Sequence, residues 1–299
     1  MVKDGKVISN IVDMYIPEEG GIHPRKAADH HAALAGDILG KALIEKPDAV
    51  AYSCGPGIGP CLRVGMVVAR YISIKFGIPL IPVNHAVAHI DIGMKTTRAK
   101  DPVVVYVSGG NTQIIANVGG WKIFGETLDI ALGNAMDKLA RELGLEHPGG
   151  PKLEKLAKGG SYLAMPYTVK GMDMSFSGIF THAKRLLKDY DARDVVYSYQ
   201  EHLFAMLVEV AERAMAHTGK NELLLVGGVA QNKRLKGMFE IMCKARGASF
   251  KVVPPELAGD NGAMIAYSGS VSDTRVTPGQ SDYFQKLRVD TDLANLFRL

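Results

Sequence analysis

The stretch "PVNHAVAHIDIG" sets His85 and His89 four residues apart, directly after the apolar run "GIPLIPV". Residues i and i+4 share a helix face, so a helix opening at Asn84 would bring both imidazoles to one metal ion. A metalloprotease helix of this kind reads H-E-x-x-H, with the glutamate as general base. Here the intervening residues are Ala86, Val87 and Ala88. The spacing of a metal site is present and the base of peptide hydrolysis is not; a structural or surface histidine pair is the plain alternative. Candidate further ligands are Tyr106, which ends a predicted strand, and Asp260, in "GDNGAMIA" at a predicted helix start. Two imidazoles, a phenol and a carboxylate form a hard, anionic set that suits iron better than a structural zinc.

A second chemistry is offered by paired glycines. In "VSGGNTQ", Gly109 and Gly110 follow a buried apolar run, so backbone N–H groups there could approach phosphate oxygens, with Ser108, Asn111 and Thr112 adding side-chain donors. A simple hairpin turn explains the same residues. In "VGGVAQN", Gly227 and Gly228 clear room at a strand-to-helix junction, and Asn232 could reach a base edge. Neither turn reads GxGxxG, which disfavours a dinucleotide. In "HPGGPKLEKLA", Glu154 on the first turns of a helix could accept from ribose hydroxyls; complementing the helix dipole is the plainer role. Asp137, in "NAMDKLA", is open to the same two readings.

These groups must be positioned by strands and helices that alternate. Apolar runs end in glycine turns at "DAVAYSCGPGIGP", "DPVVVYVSGGNTQIIANV" and "NELLLVGGVAQNKRLKGMF". The first precedes a helical pattern from Leu62 to Phe76, the second returns as a strand, and the third continues as a helix. This order predicts α/β architecture with mostly parallel sheets, in two domains facing one cleft. Val196, Tyr199, Leu203, Leu207, Val210 and Ala214 recur at helical spacing behind a predicted cap at Asp194. "NAMDKLARELG" predicts another helix, capped by Asn134 and stopped at Gly144.

The 299 residues suffice for two domains, and 47% hydrophobic with 22% charged residues is a globular composition. A net charge of +4 permits a nucleic-acid partner without requiring one. Three cysteines without a CxxC pair indicate a reducing compartment. With no signal-peptide core and no run able to span a bilayer, the expected location is the cytoplasm.

"GGIHPRKAADHH", "CGPGIGPCLRVG", "VNHAVAHI", "YVSGGNTQ", "GETLDIALGNAMDKLARELG", "PGGPKLEKLA", "MSFSGI", "LVGGVAQNKRL" and "GDNGAMIA" follow one another from about residue 20 to 270. This succession resembles the universal TsaD family, formerly called O-sialoglycoprotein endopeptidases. The tyrosine before the Ser-Gly-Gly turn is similar to its archaeal and eukaryotic branch. The resemblance implies an actin/Hsp70/sugar-kinase-like fold, two related α/β domains around a nucleotide cleft, here 1–101 with 258–299 and 102–257. It implies transfer of threonylcarbamoyl from threonylcarbamoyl-AMP to N6 of the adenosine 3′ of the anticodon, in tRNAs reading codons that begin with A. Archaeal members act in the KEOPS complex beside a kinase-like subunit and a small dimerising subunit. The same likeness implies one divalent metal, iron rather than zinc, on His85, His89, Tyr106 and Asp260. It also implies ATP or threonylcarbamoyl-AMP against Tyr106, Val107, Ser108, Gly109, Gly110, Asn111, Asp137, Gly150, Glu154, Gly227, Gly228 and Asn232.

One departure stands out. The family's usual first strand and phosphate loop have no counterpart before "MVKDGKVISN", which reads as a hairpin turned at Asp4-Gly5. Two rival readings therefore stay open. An ATP-dependent kinase or ATPase of the same fold would explain the glycine turns but not the histidines. A non-catalytic scaffold of a tRNA-modification complex would explain the missing loop. A mixed anhydride needs no covalent nucleophile, and no Gly-x-Ser-x-Gly elbow is present. "HAKRLLKDYDAR" and "QNKRLK" are either contacts for tRNA phosphates or solvated helix faces.

Overall fold

A computed structural model describes residues 1–17 and 21–297. Gly20, the first glycine of the "GGIHPRKAADHH" motif, falls outside them. In chain order the elements begin with β1 (Val2–Lys3) and β2 (Lys6–Val7), then α1 (Pro24–Ala42), β3 (Val50–Gly55), α2 (Gly59–Phe76), β4 (Leu80–Asn84) and α3 (His85–Thr97). Next come β5 (Val103–Val107), β6 (Thr112–Asn117), β7 (Trp121–Glu126), α4 (Leu132–Glu142), α5 (Gly150–Leu156), β8 (Val169–Lys170) and β9 (Asp173–Met174). The chain continues through α6 (Ser177–Leu186), α7 (Ala192–Thr218), β10 (Glu222–Val226), α8 (Lys233–Arg246) and β11 (Ser249–Val252). It closes with α9 (Pro255–Ala258), α10 (Gly262–Val271) and α11 (Leu293–Leu296). None of these helices is long and apolar enough to cross a membrane.

Two compact units result, Met1–Ile92 with Asp260–Leu299, and Gly93–Gly259. In the first, β1 and β2 form the expected hairpin, with Asp4 and Gly5 at positive φ, as a tight primed turn requires. β3 and β4 pair in parallel, and every residue of β4 is buried. Such a strand reads as an unbroken apolar run because both faces are covered. α10 packs on β3 and β4, while Tyr52, Cys54, Met66, Leu80, Leu287 and Phe297 fill the core.

The second unit is built on a five-stranded sheet ordered β11-β10-β5-β6-β7. Its β5, β10 and β11 are parallel, whereas β5, β6 and β7 run antiparallel. The sheet is therefore mixed where mostly parallel pairing was expected. The turn from Val107 to Thr112 is too short for a parallel crossover, which needs a dozen or more residues, so the chain must double back.

α7 buries Val196, Tyr199, Leu203, Leu207, Val210 and Ala214, the predicted stripe. It also buries Val195, Phe204, Met206, Ala211 and Met215, because it is packed by the sheet and by α5, α6 and α8 at once. Its cap is Asp191, which accepts from Arg193 N at 2.7 Å, not Asp194. Asp194 sits in the first turn and accepts instead from Ser161 N.

Candidate metal centre and phosphate-binding turns

In the first unit, α3 begins where the fully buried β4 ends. Asn84 caps it: Oδ1 accepts from Ala86 N at 3.0 Å and from Val87 N at 3.4 Å. One turn apart on this helix, His85 and His89 stack edge-on with ring centroids 4.9 Å apart. Asp260 stands just before α10, whose own cap is Asn261. Asp260 Oδ1 lies 3.2 Å from His85 Nε2 and 3.2 Å from His89 Nε2.

The charges are complementary. Crowding around Asp260 would by itself raise its pKa, but the imidazoles of His85 and His89 outweigh that and hold the carboxyl well below the usual carboxylate range. Solvent screens the interaction, since 73% of the Asp260 side chain is exposed. Burial moves His89 the other way: it keeps the pKa below that of ordinary histidine, against the pull of Asp260, and favours the neutral imidazole that metals bind.

Among the described residues, His85, His89 and Asp260 are the one group of three or more His, Cys, Asp or Glu whose ligand atoms all lie within 4.8 Å of one another. Two ligands at about 2.1 Å from a common cation and cis to each other stand about 3.0 Å apart in octahedral coordination and about 3.4 Å in tetrahedral coordination. The two His–Asp separations of 3.2 Å fall between, as ligands sharing one divalent cation would stand. Tyr106 belongs to the second unit, where it is fully buried and its hydroxyl is 3.5 Å from Asn111 Nδ2.

The second unit brings the two Gly-Gly turns together. β5 and β10 are neighbours with Tyr106 opposite Val226, so both turns leave the sheet at its carboxyl edge. Gly227 has φ +95°, and a Cβ there would lie 2.2 Å from Val107 O. Only glycine fits that approach. Gly228 starts a short 3-10 helix to Gln231. Ser108 closes the first turn on itself, with its N–H donating to Asn111 O and its hydroxyl accepting from Asn111 N.

The remaining expected contacts have partners inside the unit. Asp137 Oδ1 accepts from Gly149 N at 2.7 Å, and Oδ2 is 3.3 Å from His147 Nδ1, which fixes the chain entering α5 at Gly150. Glu154 Oε1 accepts from Lys233 N at the start of α8. Asn232 caps that helix by accepting from Leu235 N and donates to Gln200 Oε1 at 3.2 Å. Thr112 is buried, its hydroxyl accepting from Leu132 N at 2.7 Å, so it serves α4 and not the turn's open side. In the basic stretches, Lys184 pairs with Glu142 and Arg234 makes a two-pronged contact with Glu201.

The cap expected at Asn134 is not formed: α4 starts at Leu132 with no side-chain cap. Its first amides donate instead to the turn: Gly133 N to Ser108 O at 3.3 Å and Asn134 N to Gly109 O at 3.2 Å. Asp129 was missed altogether. It accepts from the amides of Ile130, Phe176 and Ser177, and so ties the "MSFSGI" segment to the approach to α4. Its place in "GETLDIALGN", where acidic residues commonly fold back on local amides, was the available signal.

Mixed α/β units, with glycine turns at strand ends in the second, are the architecture expected of an actin/Hsp70/sugar-kinase-like fold. Solved structures agree on the fold: full-length HypF in a phosphate- and nucleotide-bound form matches with TM-score 0.61 at 13% identity, over 81% of this chain and 49% of that one. HypF of T. kodakarensis matches with TM-score 0.62 at 16% identity, over 80% and 42%.

The family model described as TsaD, tRNA N6-adenosine threonylcarbamoyltransferase, matches residues 6–267, and the chain belongs to that family. A tRNA N6-adenosine threonylcarbamoyltransferase of Archaeoglobus fulgidus is 56% identical over 277 residues, 90% of this chain and 85% of the relative. A "Probable bifunctional tRNA threonylcarbamoyladenosine biosynthesis protein" of Methanosarcina mazei is 52% identical over 299 residues, 93% of this chain. The chain spans 55% of that relative's length.

Proposed function

We propose that this chain transfers a threonylcarbamoyl group from threonylcarbamoyl-AMP to N6 of the adenosine 3′ of the anticodon in tRNAs reading codons that begin with A. The observation that carries the reading is the family match over residues 6–267, which contains both glycine turns and all of the His85, His89 and Asp260 set. A divalent cation on those three residues, iron by preference, would supply Lewis-acid polarisation of the transferred carbonyl. Asp260 lends that set a negative charge and His89 a neutral ring nitrogen. The amides of Gly109 and Gly110 receive the phosphate of ATP or of the adenylate and steady it as a leaving group. The adenosine must leave its stack to be acylated, as base-modifying enzymes require. tRNA is the partner of the reaction, and the KEOPS kinase-like and small dimerising subunits are the protein partners.

The test incubates the chain with threonylcarbamoyl-AMP and a tRNA transcript, with and without those subunits, and reads the modified nucleoside by mass spectrometry. The expected result is modification that disappears in the His85→Ala, His89→Ala double variant while circular dichroism is retained. Full transfer by that variant would end the Lewis-acid role. Phosphate transfer to a sugar or small alcohol, with no modified nucleoside, would replace the whole reading by a kinase.

A further inference from the structure

We propose that Gly133 is a positioning residue for the phosphate-binding turn, setting the direction in which the amides of Gly109 and Gly110 point. The inference rests on the assignment of that turn to a nucleotide phosphate made above, and it adds a residue lying outside the turn.

Three consecutive amides at the start of α4 are spent on the turn. Leu132 N donates to Thr112 Oγ1, Gly133 N to Ser108 O and Asn134 N to Gly109 O. A trans peptide directs its C=O and its N–H to opposite sides. With the carbonyls of Ser108 and Gly109 drawn onto α4, the N–H groups of Gly109 and Gly110 must face away from it. Both glycines are exposed, and no protein acceptor meets either amide among the described residues. Two adjacent N–H groups aimed the same way from a fixed backbone form a cradle for an anion.

That docking depends on a missing side chain. A Cβ on Gly133 would lie 2.6 Å from Ser108 O, 2.8 Å from Gly109 Cα and 3.0 Å from Gly109 N. All three neighbours are backbone, so no rotamer change relieves the clash. The turn would have to retreat by about 0.8 Å to reach ordinary contact, enough to rotate both peptide planes. Misplacement on the scale of 1 Å is worth up to about a hundredfold at a site that works by position.

Gly133→Ala therefore separates phosphate recognition from the rest of binding. By calorimetry, the variant should lose about tenfold or more in affinity for ATP while its affinity for adenosine, which has no phosphate, stays unchanged. Gly237→Ala, on α8 with open space around it, is the control and should match the wild type in both. In the wild type, the amide resonances of Gly109 and Gly110 should move when ATP is added. Should Gly133→Ala fail to fold, Thr112→Val removes the acceptor of Leu132 N without added bulk and should give the same selective loss, smaller in size.

A folded Gly133→Ala with wild-type ATP affinity would overturn the role of Gly133 and leave the phosphate assignment standing. Unmoved Gly109 and Gly110 resonances at saturating ATP, or no ATP binding by the wild type, would overturn the phosphate assignment and this inference with it.

Discussion

His89 Nε2 and Asp260 Oδ1 lie 3.2 Å apart although 171 residues separate them in the chain. Of the two, His89 is buried and held by its helix, whereas Asp260 is mostly in solvent. The rigid half of the centre is thus the histidine pair, and the carboxylate is the half that can be altered without touching the core.

Asp260→Asn should accordingly lower metal affinity by about tenfold or more, because it removes the one anionic donor of the set. Elemental analysis after dialysis against a metal buffer measures it. Circular dichroism should not change. Equal metal content in the variant and the wild type would show that the ion sits elsewhere.

Glu222 gives a pH dependence. Its carboxylate accepts from Lys251 Nζ at 2.7 Å and from the amides of Lys100 and Asp101 at 2.8 and 2.9 Å. The hydrogen bond from Lys251 leads the causes that pull its pKa down to about 2 from the ordinary 4.5, with burial opposing. A carboxyl lowered in the folded state stabilises at pH values above its unfolded pKa, and that contribution is lost as pH falls toward the folded value. Glu222→Gln should cost about 1–2 kcal/mol at neutral pH by chemical denaturation. The deficit should shrink as pH falls from 4.5 toward 2. A deficit independent of pH would rule out an ionic origin.

Asp137 can be tested apart from any ligand. Because Oδ1 accepts from Gly149 N, Asp137→Ala should speed hydrogen exchange at that amide by about tenfold, the equivalent of one lost hydrogen bond of about 1.4 kcal/mol. Unchanged exchange at Gly149 would mean that the loop entering α5 is held by other contacts.

Local patterns were the legible part of this chain. Two histidines at helical spacing, glycine pairs at strand ends and the stripe along α7 each state their structure within a few neighbours, and each is present. What spacing could not give is the meeting of distant segments. Asp260 reaches the histidines from the far end of the first unit's chain: its place at a helix start made it a candidate, but no spacing joined it to them. The misplaced cap at Asn134 has the same root: the acceptors for α4 are one hydroxyl and two carbonyls of a turn twenty or more residues earlier, and carbonyls carry no side-chain signature. Asp137, Glu154 and Asn232, expected against a ligand, each also have a protein partner. A lone residue type does not announce which amide it will meet.

The solvent-facing carboxylate of Asp260 has a practical consequence. An ion bound partly by a group already in water can leave and return without the helix opening, so a chelator should empty the centre from the folded protein. The occupant of a purified sample would then reflect the medium it last equilibrated with, and loading under controlled conditions becomes the meaningful assay of preference.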